Sequence, residues 1–594
     1  MDRPFAITLQ PGSSRANKTG SWRTERPVYV DLLPPCNDAC PAGENIQGWL
    51  YHAEEMGYEE AWRTIMLDNP FPAIMGRVCY HNCETACNRG KVYRPVSNAM
   101  LFGESGASFG KAEYAGVPGS TLRTTTQQGA SSGQRERADY LRDGTLDEAV
   151  GINAVERFLG DIALKSDWQI PAGKPATGKR VLVVGGGPAG LSTAYHLWLL
   201  GNDVSVYEAS AQLGGMMRFG IPAYRLPRDV LDKEIDRIIG LGINIELNHK
   251  VTDLLAEMEE GNYDAIFLAT GAEIARNAYI PAGDSSHIID ALSLLRSAQD
   301  MERPQLGRTV VVYGGGNTAM DAARTAKRLG ASEAIVVYRR TRDKMPAHDL
   351  EVEEAIEEGV KMRWLSTINR VAGEKLLLEK MELDNTGFPQ PTGEYDELAA
   401  DSVVLALGEE ADLSLLGHIP DIVIENGIVQ VDSTMMTSHP GIFAGGDIAQ
   451  KDRTVTDAIG NGKKAARNID NWLRGIASPD SVRHPLAEWS RLNTWYYSDA
   501  PATMRPKLDA VRRQSTFDEV VIGLDESEAL FEARRCMSCG NCFECDNCYG
   551  VCPDNSVIKL GTGMRYEFDY DYCKGCGICA TECPCGAIDM VPED

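Results

Sequence analysis

The uneven distribution of sixteen cysteines constrains this 594-residue chain more than any other sequence feature. Five lie between Cys36 and Cys87, eleven lie between Cys536 and Cys585, and none lies between these two groups. Disulfide frameworks are typical of small secreted domains, and the first residues of this chain lack the apolar core of a secretory signal. We therefore predict metal-binding cysteines near both ends, a different cofactor in the middle, and a cytoplasmic location.

The C-terminal cysteines repeat one spacing, C-x2-C-x2-C-x3-C-P, which is found in bacterial ferredoxins. In such a repeat, three cysteines bind one [4Fe–4S] cluster and the fourth binds the other cluster. The predicted ligands of the first cluster are Cys542, Cys545, Cys548 and Cys583. The predicted ligands of the second cluster are Cys573, Cys576, Cys579 and Cys552.

Two alternatives to this assignment stay open. The segment Cys536-x2-Cys539-Gly540-x-Cys542 resembles the second repeat, so the first three ligands would then be Cys536, Cys539 and Cys542. Structural zinc is the other alternative, and it needs four ligands per site. The two uninterrupted repeats that end in Cys-Pro favour iron–sulfur clusters.

The N-terminal cysteines have a less specific spacing. Cys36 and Cys40 are followed by Cys79, Cys83 and Cys87, and intervals of four place the last three on one helical face or in a winding loop. Residues 46–66 have the pattern of an amphipathic helix. These residues predict a metal site, with buried free thiols as the alternative.

A glycine-rich turn begins the middle of the chain. The apolar residues 180–184 predict a buried parallel strand, which leads into a G-x-G-x-x-G motif and a helix, and the next strand ends at Glu208. The glycines let backbone N–H groups approach a pyrophosphate, and the acid binds ribose hydroxyls. The predicted dinucleotide ligands in this motif are Gly185, Gly187, Pro188, Ala189, Gly190 and Glu208.

A second turn of this kind follows residues 309–313. It contains Gly314, Gly316, Asn317 and Thr318, and Ala319 replaces the third glycine. The next strand ends in Arg339 and Arg340 rather than in an acid. Guanidinium groups suit a 2′-phosphate, so we favour NADP over NAD, with a surface arginine pair as the alternative.

Two dinucleotide folds in tandem suggest one flavin and one nicotinamide cofactor. Thr270 and Gly271 end a predicted strand, and Gly446 and Asp447 end another, so that Asp447 would reach a ribityl chain. A helix that opens near Thr456 would point its N-terminal dipole at the flavin ring.

The formal net charge of −26 excludes whole classes of partner. An acidic surface repels the phosphates of nucleic acids and of anionic lipids. No run of about 20 apolar residues exists, so we expect no membrane span.

The complete set of motifs resembles the small subunit of glutamate synthase and the N-terminal half of dihydropyrimidine dehydrogenase. The segments that carry this resemblance are Cys40–Gly43, Gly76–Cys79, Cys83–Asn88, Glu156–Phe158, Gly185–Gly190, Gly214–Pro222, Tyr224–Pro227, Gly314–Asp321, Tyr338–Thr341, Met345–Ala347 and Gly445–Asp447. The resemblance implies an enzyme that passes electrons between NAD(P)H, FAD and [4Fe–4S] clusters, usually as part of a larger assembly. It also implies Gly215 and Arg218 as cofactor ligands, and one cluster bound by Cys40, Cys79, Cys83 and Glu156.

The chain departs from this family at two places. Relatives with two N-terminal clusters have a C-x-x-C pair where this chain has residues 28–31 without a cysteine. We therefore expect one N-terminal cluster, with Cys36 and Cys87 unused or replacing Glu156. The second departure is an insertion at about residues 99–145, which is rich in Gly, Ser, Thr and Gln and is interpreted as a flexible loop or a partner-binding arm.

The predicted fold is a multidomain α/β architecture: a helical N-terminal Fe–S domain, two Rossmann-like domains for FAD and NAD(P), and a C-terminal α+β ferredoxin-like domain. The predicted boundaries are 1–30 for an N-terminal arm, 31–170 for the helical domain, 178–300 and 409–475 for the FAD domain, 301–408 for the NAD(P) domain, 476–535 for a linker and 536–594 for the ferredoxin-like domain.

The predicted cofactors are FAD, NAD(P) and three [4Fe–4S] clusters, or about twelve iron atoms per chain. Hydride transfer between nicotinamide and flavin needs stacking geometry, so we predict no catalytic side chain. The middle of the chain has no cysteine, which excludes the redox-active pair of disulfide reductases.

We expect the chain to be an electron-transfer subunit whose partners are other oxidoreductase subunits or a ferredoxin. By analogy, a 2-oxoacid:acceptor oxidoreductase that reduces NAD(P)+ would be its host. The alternatives are a free-standing NAD(P)H:ferredoxin oxidoreductase, a glutamate synthase small subunit, and a scaffold with empty nucleotide folds.

Overall fold

The computed structural model describes residues 18–92, 149–275, 288–299, 303–372, 375–419, 421–477, 484–498 and 500–593. The predicted insertion at residues 99–145 lies outside these ranges, so its role stays a prediction.

The N-terminal domain is helical, and its core contains two completely buried tryptophans, Trp49 and Trp62. The predicted helix over 46–66 was wrong in one respect: it is interrupted at Met56, whose φ is 62°. A left-handed residue followed by Gly57 ends one helix and starts the next. The described helices of this domain are Pro35–Ala39, Ile46–Glu54, Tyr58–Met66, Pro72–Val78, Asn82–Ala86 and Ile152–Ser166.

Two of these helices, Pro72–Val78 and Ile152–Ser166, are in backbone contact. A Cβ atom at Gly160 would lie 2.3 Å from the backbone nitrogen of Ala73, and one at Gly76 would lie 2.3 Å from Cα of Arg157. Only glycine permits this approach. The contact brings Glu156, on one helix, towards Cys79, which follows the other.

The first Rossmann-like domain contains a five-stranded parallel sheet with a helix at the end of its central strand. Val184 ends that strand, and the helix Pro188–Leu199 follows the glycine-rich turn. The strands, in spatial order, are Ile442–Ala444, Ala265–Leu268, Arg180–Val184, Asp203–Glu208 and Asn244–Leu247. Further helices of this domain are Met216–Phe219, Arg228–Ile239, Leu254–Glu260 and Val455–Leu473.

The second Rossmann-like domain repeats this arrangement and adds an antiparallel sheet. The parallel strands, in spatial order, are Lys361–Arg363, Glu333–Val337, Thr309–Gly314, Ser402–Ala406 and Ile288–Asp290. The helices are Ala291–Ser297, Asn317–Arg328 and Asp349–Glu357, and the antiparallel strands are Ser366–Ala372, Lys375–Leu383 and Pro389–Ala399. Short pairs join Ile274–Ala275 to Glu409–Glu410 and Ile424–Glu425 to Ile428–Val429.

The linker after residue 476 docks on the N-terminal helical domain. Its helix Glu526–Arg534 begins with a capping box of Asp525 and Glu528. The completely buried carboxylate of Glu532 accepts the Gly151 N–H at 2.8 Å. This contact holds the residues just before Cys536 against the N-terminal helices. A shorter linker helix spans Ala510–Ser515.

The C-terminal domain is small and α+β, and a strand from the N-terminus completes it. Strand Glu25–Tyr29 pairs antiparallel with strand Ile588–Pro592, so most of the described part of the predicted arm belongs to this domain. The remaining elements are helices Asn547–Val551 and Ile578–Thr581 and strands Val557–Lys559 and Tyr566–Phe568. Within the described ranges, no helix has the length and apolar character needed to cross a bilayer. The predicted fold class is confirmed.

We expect Gly160→Ala to destabilise the helical domain by about 1–3 kcal/mol, because the added Cβ overlaps backbone atoms that cannot rotate away. The measurement is the first thermal unfolding transition. Gly550→Ala is the control, since a Cβ there meets nothing within 4 Å. An unchanged transition in the Gly160 variant would contradict the described helix packing.

Candidate cofactor sites

The first glycine-rich turn forms one wall of a cavity of about 440 Å³. This volume is within the range of about 300–1,000 Å³ that is typical of ligand pockets. The predicted residues that line it are Gly185, Gly187, Pro188, Ala189, Glu208, Gly215, Thr270, Gly271, Gly446 and Asp447.

The Glu208 carboxylate holds the shape of this turn. It accepts the Gly186 N–H at 2.7 Å and the Ser210 N–H, also at 2.7 Å. The acid at the end of the second strand therefore bridges two loops at the rim of the cavity, where a ribose would bind.

Two polar groups in the cavity wall fit a bound flavin nucleotide. The hydroxyl of Thr270 is buried without a hydrogen-bond partner, which is an unfavourable arrangement unless a ligand completes it. Burial raises the pKa of Asp447 to about 6, although the nearby Arg453 opposes the shift. A carboxyl group in this position can accept a hydrogen bond from a polyol.

The second glycine-rich turn lines a larger cavity of about 780 Å³. Its lining includes all the predicted residues of this second motif: Gly314, Gly316, Asn317, Thr318, Arg339 and Arg340. The Nε of Arg340 is buried without a hydrogen-bond partner. A buried N–H group without an acceptor is unfavourable, and an anionic ligand in the cavity would supply that acceptor.

The two cavities meet. Pro188, Met216, Asp447 and Ala458 line both of them. A nucleotide in the second cavity would therefore extend to the cofactor in the first. This is the geometry that direct hydride transfer between two stacked rings requires.

Three of the predicted cofactor ligands do not line either cavity. Gly190 serves packing, because a Cβ there would lie 1.9 Å from the carbonyl oxygen of Gly185. Arg218 is buried and donates to the Leu213 carbonyl at 2.6 Å and to Asp232 at 2.5 Å, which suits a positioning role. Thr456 points away from the cavity, and its hydroxyl lies 3.3 Å from Sγ of Cys79.

The structure adds residues that the motifs alone did not predict as part of the site. Tyr80, between two cysteines of the N-terminal set, stacks on His348 of the second Rossmann-like domain with ring centroids 3.6 Å apart. Arg225 forms buried ion pairs with Asp321 at 2.7 Å and Glu351 at 2.5 Å. Arg225 and Asp321 lie in segments that carry the family resemblance. That resemblance was the only sequence signal from which their place in the site could have been predicted.

Cys40, Cys79, Cys83 and Glu156 converge near the cavities, and Val78 and Tyr80, on either side of Cys79, line the second one. Cys79 lies close enough to Cys40, Cys83 and Glu156 for electrostatic interaction with each of them. Glu156 is buried and accepts a hydrogen bond from Asn69 at 2.9 Å. Asn69 donates equally to Glu44, a second buried carboxylate of this site.

The electrostatics of this group fit a cationic iron cluster. Burial raises the pKa of Cys79 to about 12, and the Glu156 carboxylate acts in the same direction. Burial also raises the pKa of Glu156 well above its usual value, with Glu44 adding to the effect. Positive charge from bound iron would stabilise the deprotonated ligands here.

The C-terminal domain brings its cysteines together in two groups. Cys583 interacts electrostatically with Cys542, Cys545 and Cys548. Cys552 lies with Cys573, Cys576 and Cys579 around a separate small pocket. The geometry thus has the crossed arrangement of the predicted ligand sets, which stay predictions. Cys536 and Cys539 lie apart from both groups.

Three protein families match parts of the chain. Residues 179–462 match the family described as pyridine nucleotide-disulphide oxidoreductase. Residues 28–101 match dihydropyrimidine dehydrogenase domain II, 4Fe-4S cluster, and residues 566–589 match the 4Fe-4S binding domain.

Several curated proteins are similar over most of the chain. The NADP(+)-dependent formate dehydrogenase subunit beta of Moorella thermoacetica is 34% identical, with 86% of this chain and 71% of that protein covered. The NADPH-Fe(3+) oxidoreductase subunit beta of Geobacter sulfurreducens is 29% identical, with 86% and 76% covered. The glutamate synthase [NADPH] small chain of Escherichia coli is 29% identical, with 74% and 89% covered.

We expect Asp447→Asn to stabilise the cofactor-free protein above pH 6 by up to about 3 kcal/mol, since each unit of pKa difference corresponds to about 1.4 kcal/mol. The raised pKa means that the folded protein holds a proton that the unfolded chain releases between pH 3.8 and about 6. Stability therefore falls as pH rises through this window. The measurement is denaturant unfolding at pH 5 and pH 7.5, and equal effects at both values would contradict the assignment.

Proposed function

Because the chain belongs to the family of flavin- and iron–sulfur-containing pyridine nucleotide oxidoreductases, we propose that it exchanges electrons between NADP(H) and a partner oxidoreductase subunit. Its proposed cofactors are FAD in the first cavity, NADP(H) in the second, and [4Fe–4S] clusters in the three predicted sites.

One observation carries this proposal: helix Val455–Leu473 touches both the flavin cavity and the N-terminal cysteine group. Ala458 lines the place where the two cavities meet, and Thr456 contacts Cys79. The nucleotide site, the flavin site and the first cluster site are therefore contiguous.

FAD would supply the exchange between a two-electron hydride and single electrons, which the clusters then carry. The protein's own residues position and enclose the reacting rings. The residues that line both cavities are Pro188, Met216, Asp447 and Ala458. The stacked Tyr80 and His348 join the N-terminal domain to the nucleotide-binding domain at this edge.

The distribution of cysteines supports one-electron exit rather than disulfide reduction. Residues 179–462, which match a family named for disulphide oxidoreductases, contain no cysteine. Electrons from the flavin must therefore leave through the groups at the chain ends. Sixteen unpaired cysteines also suit a reducing cytoplasm.

The proposed partner is a catalytic subunit that oxidises a low-potential substrate. The similarity to the formate dehydrogenase beta subunit supports a dehydrogenase of this kind, and the 2-oxoacid oxidoreductase host stays a hypothesis. A second candidate function is direct reduction of an external acceptor, which the similarity to the NADPH-Fe(3+) oxidoreductase subunit favours.

Purification of the native protein from the cells that make it tests the choice of partner. We expect copurification with a larger catalytic subunit and bleaching of flavin absorbance by NADPH. A lone chain that reduces ferredoxin directly would favour the second candidate, and a chain without flavin would contradict both.

We expect Arg340→Gln to weaken NADPH binding by about 10- to 100-fold, because a charged hydrogen bond to the 2′-phosphate is lost. NADH, which lacks this phosphate, should bind with little change. The measurement is the concentration dependence of flavin bleaching by each nucleotide. Arg342→Gln is the matched control, since Arg342 is exposed and pairs with Glu353. Equal losses for NADPH and NADH would contradict the 2′-phosphate contact.

A further inference from the structure

Four cysteines outside the predicted ligand sets converge from the two ends of the chain. Cys36, Cys87, Cys536 and Cys539 line one small pocket, together with Gln47 and Leu50. Cys36 interacts electrostatically with each of the other three sulfurs. Their positions in the sequence are far apart, so this convergence is a property of the tertiary structure.

Hydrogen bonds join the segment that contains Cys536 and Cys539 to the N-terminal domain. Arg535 donates to the Ala149 carbonyl at 2.9 Å and to Glu532 at 2.8 Å. Gln47 donates to the Ser538 hydroxyl at 3.4 Å. The segment with Cys536 and Cys539 is therefore fixed against the N-terminal helical domain, which contains Cys36 and Cys87.

The sulfurs of this group accept hydrogen bonds from backbone N–H groups. Ser538 N–H donates to Cys536 at 3.5 Å, and the Arg89 N–H donates to Cys87. The Nδ2 of Asn88 lies 3.6 Å from Cys539. The same pattern occurs in the predicted cluster sites, where His81 N–H donates to Cys79 at 3.4 Å and Ser556 N–H donates to Cys552 at 3.3 Å. Hydrogen bonds to the sulfurs are among the features by which a protein sets the reduction potential of an iron–sulfur cluster.

The arrangement of these four cysteines favours neither disulfides nor a single metal ion. All four cysteines are free of disulfides. Throughout the described ranges, no three histidine, cysteine or acidic side chains lie close enough to share a single metal ion, as tetrahedral zinc requires. A [4Fe–4S] cluster binds one cysteine at each of its four iron atoms. Its four ligands are therefore farther apart than the ligands of a single metal ion, as the four cysteines are here.

We propose that Cys36, Cys87, Cys536 and Cys539 bind a fourth [4Fe–4S] cluster. The C-x-x-C pair that this chain lacks at residues 28–31 is supplied by Cys536 and Cys539, while the segment Glu25–Tyr29 forms a strand with the C-terminal domain. The inference deepens the proposed function, on which its role in electron transfer rests.

This site lies between the N-terminal cluster site and the ferredoxin-like domain. On one side, Cys83 interacts electrostatically with Cys36. On the other side, Gly540 N–H donates to the Cys585 carbonyl at 2.7 Å, and the ring of Tyr497 lies near Cys539 and Cys583. When bound here, a cluster would take up one electron at a time and pass it on, with no bond made or broken. The two electrons of a hydride would pass one after the other, and its proton would be released to solvent.

Iron and sulfide analysis of anaerobically purified full-length protein tests the proposal. We expect about sixteen iron atoms per chain rather than about twelve. The double variants Cys36→Ala/Cys87→Ala and Cys536→Ala/Cys539→Ala should each lose about four iron atoms, and the quadruple variant should lose no more than either pair. If the two cysteine pairs bind the same cluster, each double variant loses the same iron atoms, and combining the variants causes no further loss. Two separate sites would instead give losses that add.

Cys585→Ala is the matched control, because Cys585 is buried and lies 3.7 Å from Cys583 but belongs to none of the four sets. It should keep the wild-type iron content. Native mass spectrometry of the wild-type protein counts clusters without any variant, so misfolding of a variant does not prevent a decision. Three clusters, or one zinc lost from either double variant, would overturn the proposal. Neither measurement uses NADPH, so failure of the proposed function is separately detectable.

Discussion

The close packing of helix Val455–Leu473 against the N-terminal cysteine loop determines how the cofactor sites lie relative to one another. A Cβ at Gly460 would be 2.1 Å from the Pro41 carbonyl oxygen, so only glycine allows this approach. Lys463 reinforces it by donating to the Gly43 carbonyl and to Asp68, each at 2.9 Å. The first cavity and the predicted N-terminal cluster site therefore share one wall.

Buried ion pairs help to hold the nucleotide-binding domain to this unit. The buried guanidinium of Arg225, from the first Rossmann-like domain, pairs with Asp321 and Glu351 of the second. Buried pairs of this kind are costly to break, because one partner is then left uncompensated. The two nucleotide cavities consequently keep their common boundary.

The local motifs of the sequence predicted the elements well, and the tertiary contacts less completely. The glycine-rich turns and the ferredoxin spacing are short-range patterns, so their strands, helices and loops followed from the sequence. Thr456 faces Cys79 rather than the cavity, because the rotation of its helix depends on packing against a distant loop. The meeting of Cys36 and Cys87 with Cys536 and Cys539 has no local signal, since the linker helix Glu526–Arg534 creates it.

The pairing of strand Glu25–Tyr29 with strand Ile588–Pro592 has a consequence for biosynthesis. Ribosomes add about 5–20 residues per second, so the N-terminal strand waits on the order of a minute before its partner emerges. Until then its backbone groups and the cysteines beside it remain exposed to the cell. Loading of the proposed clusters at the junction would therefore follow translation, and a chain that lacks strand Ile588–Pro592 would leave strand Glu25–Tyr29 without its partner.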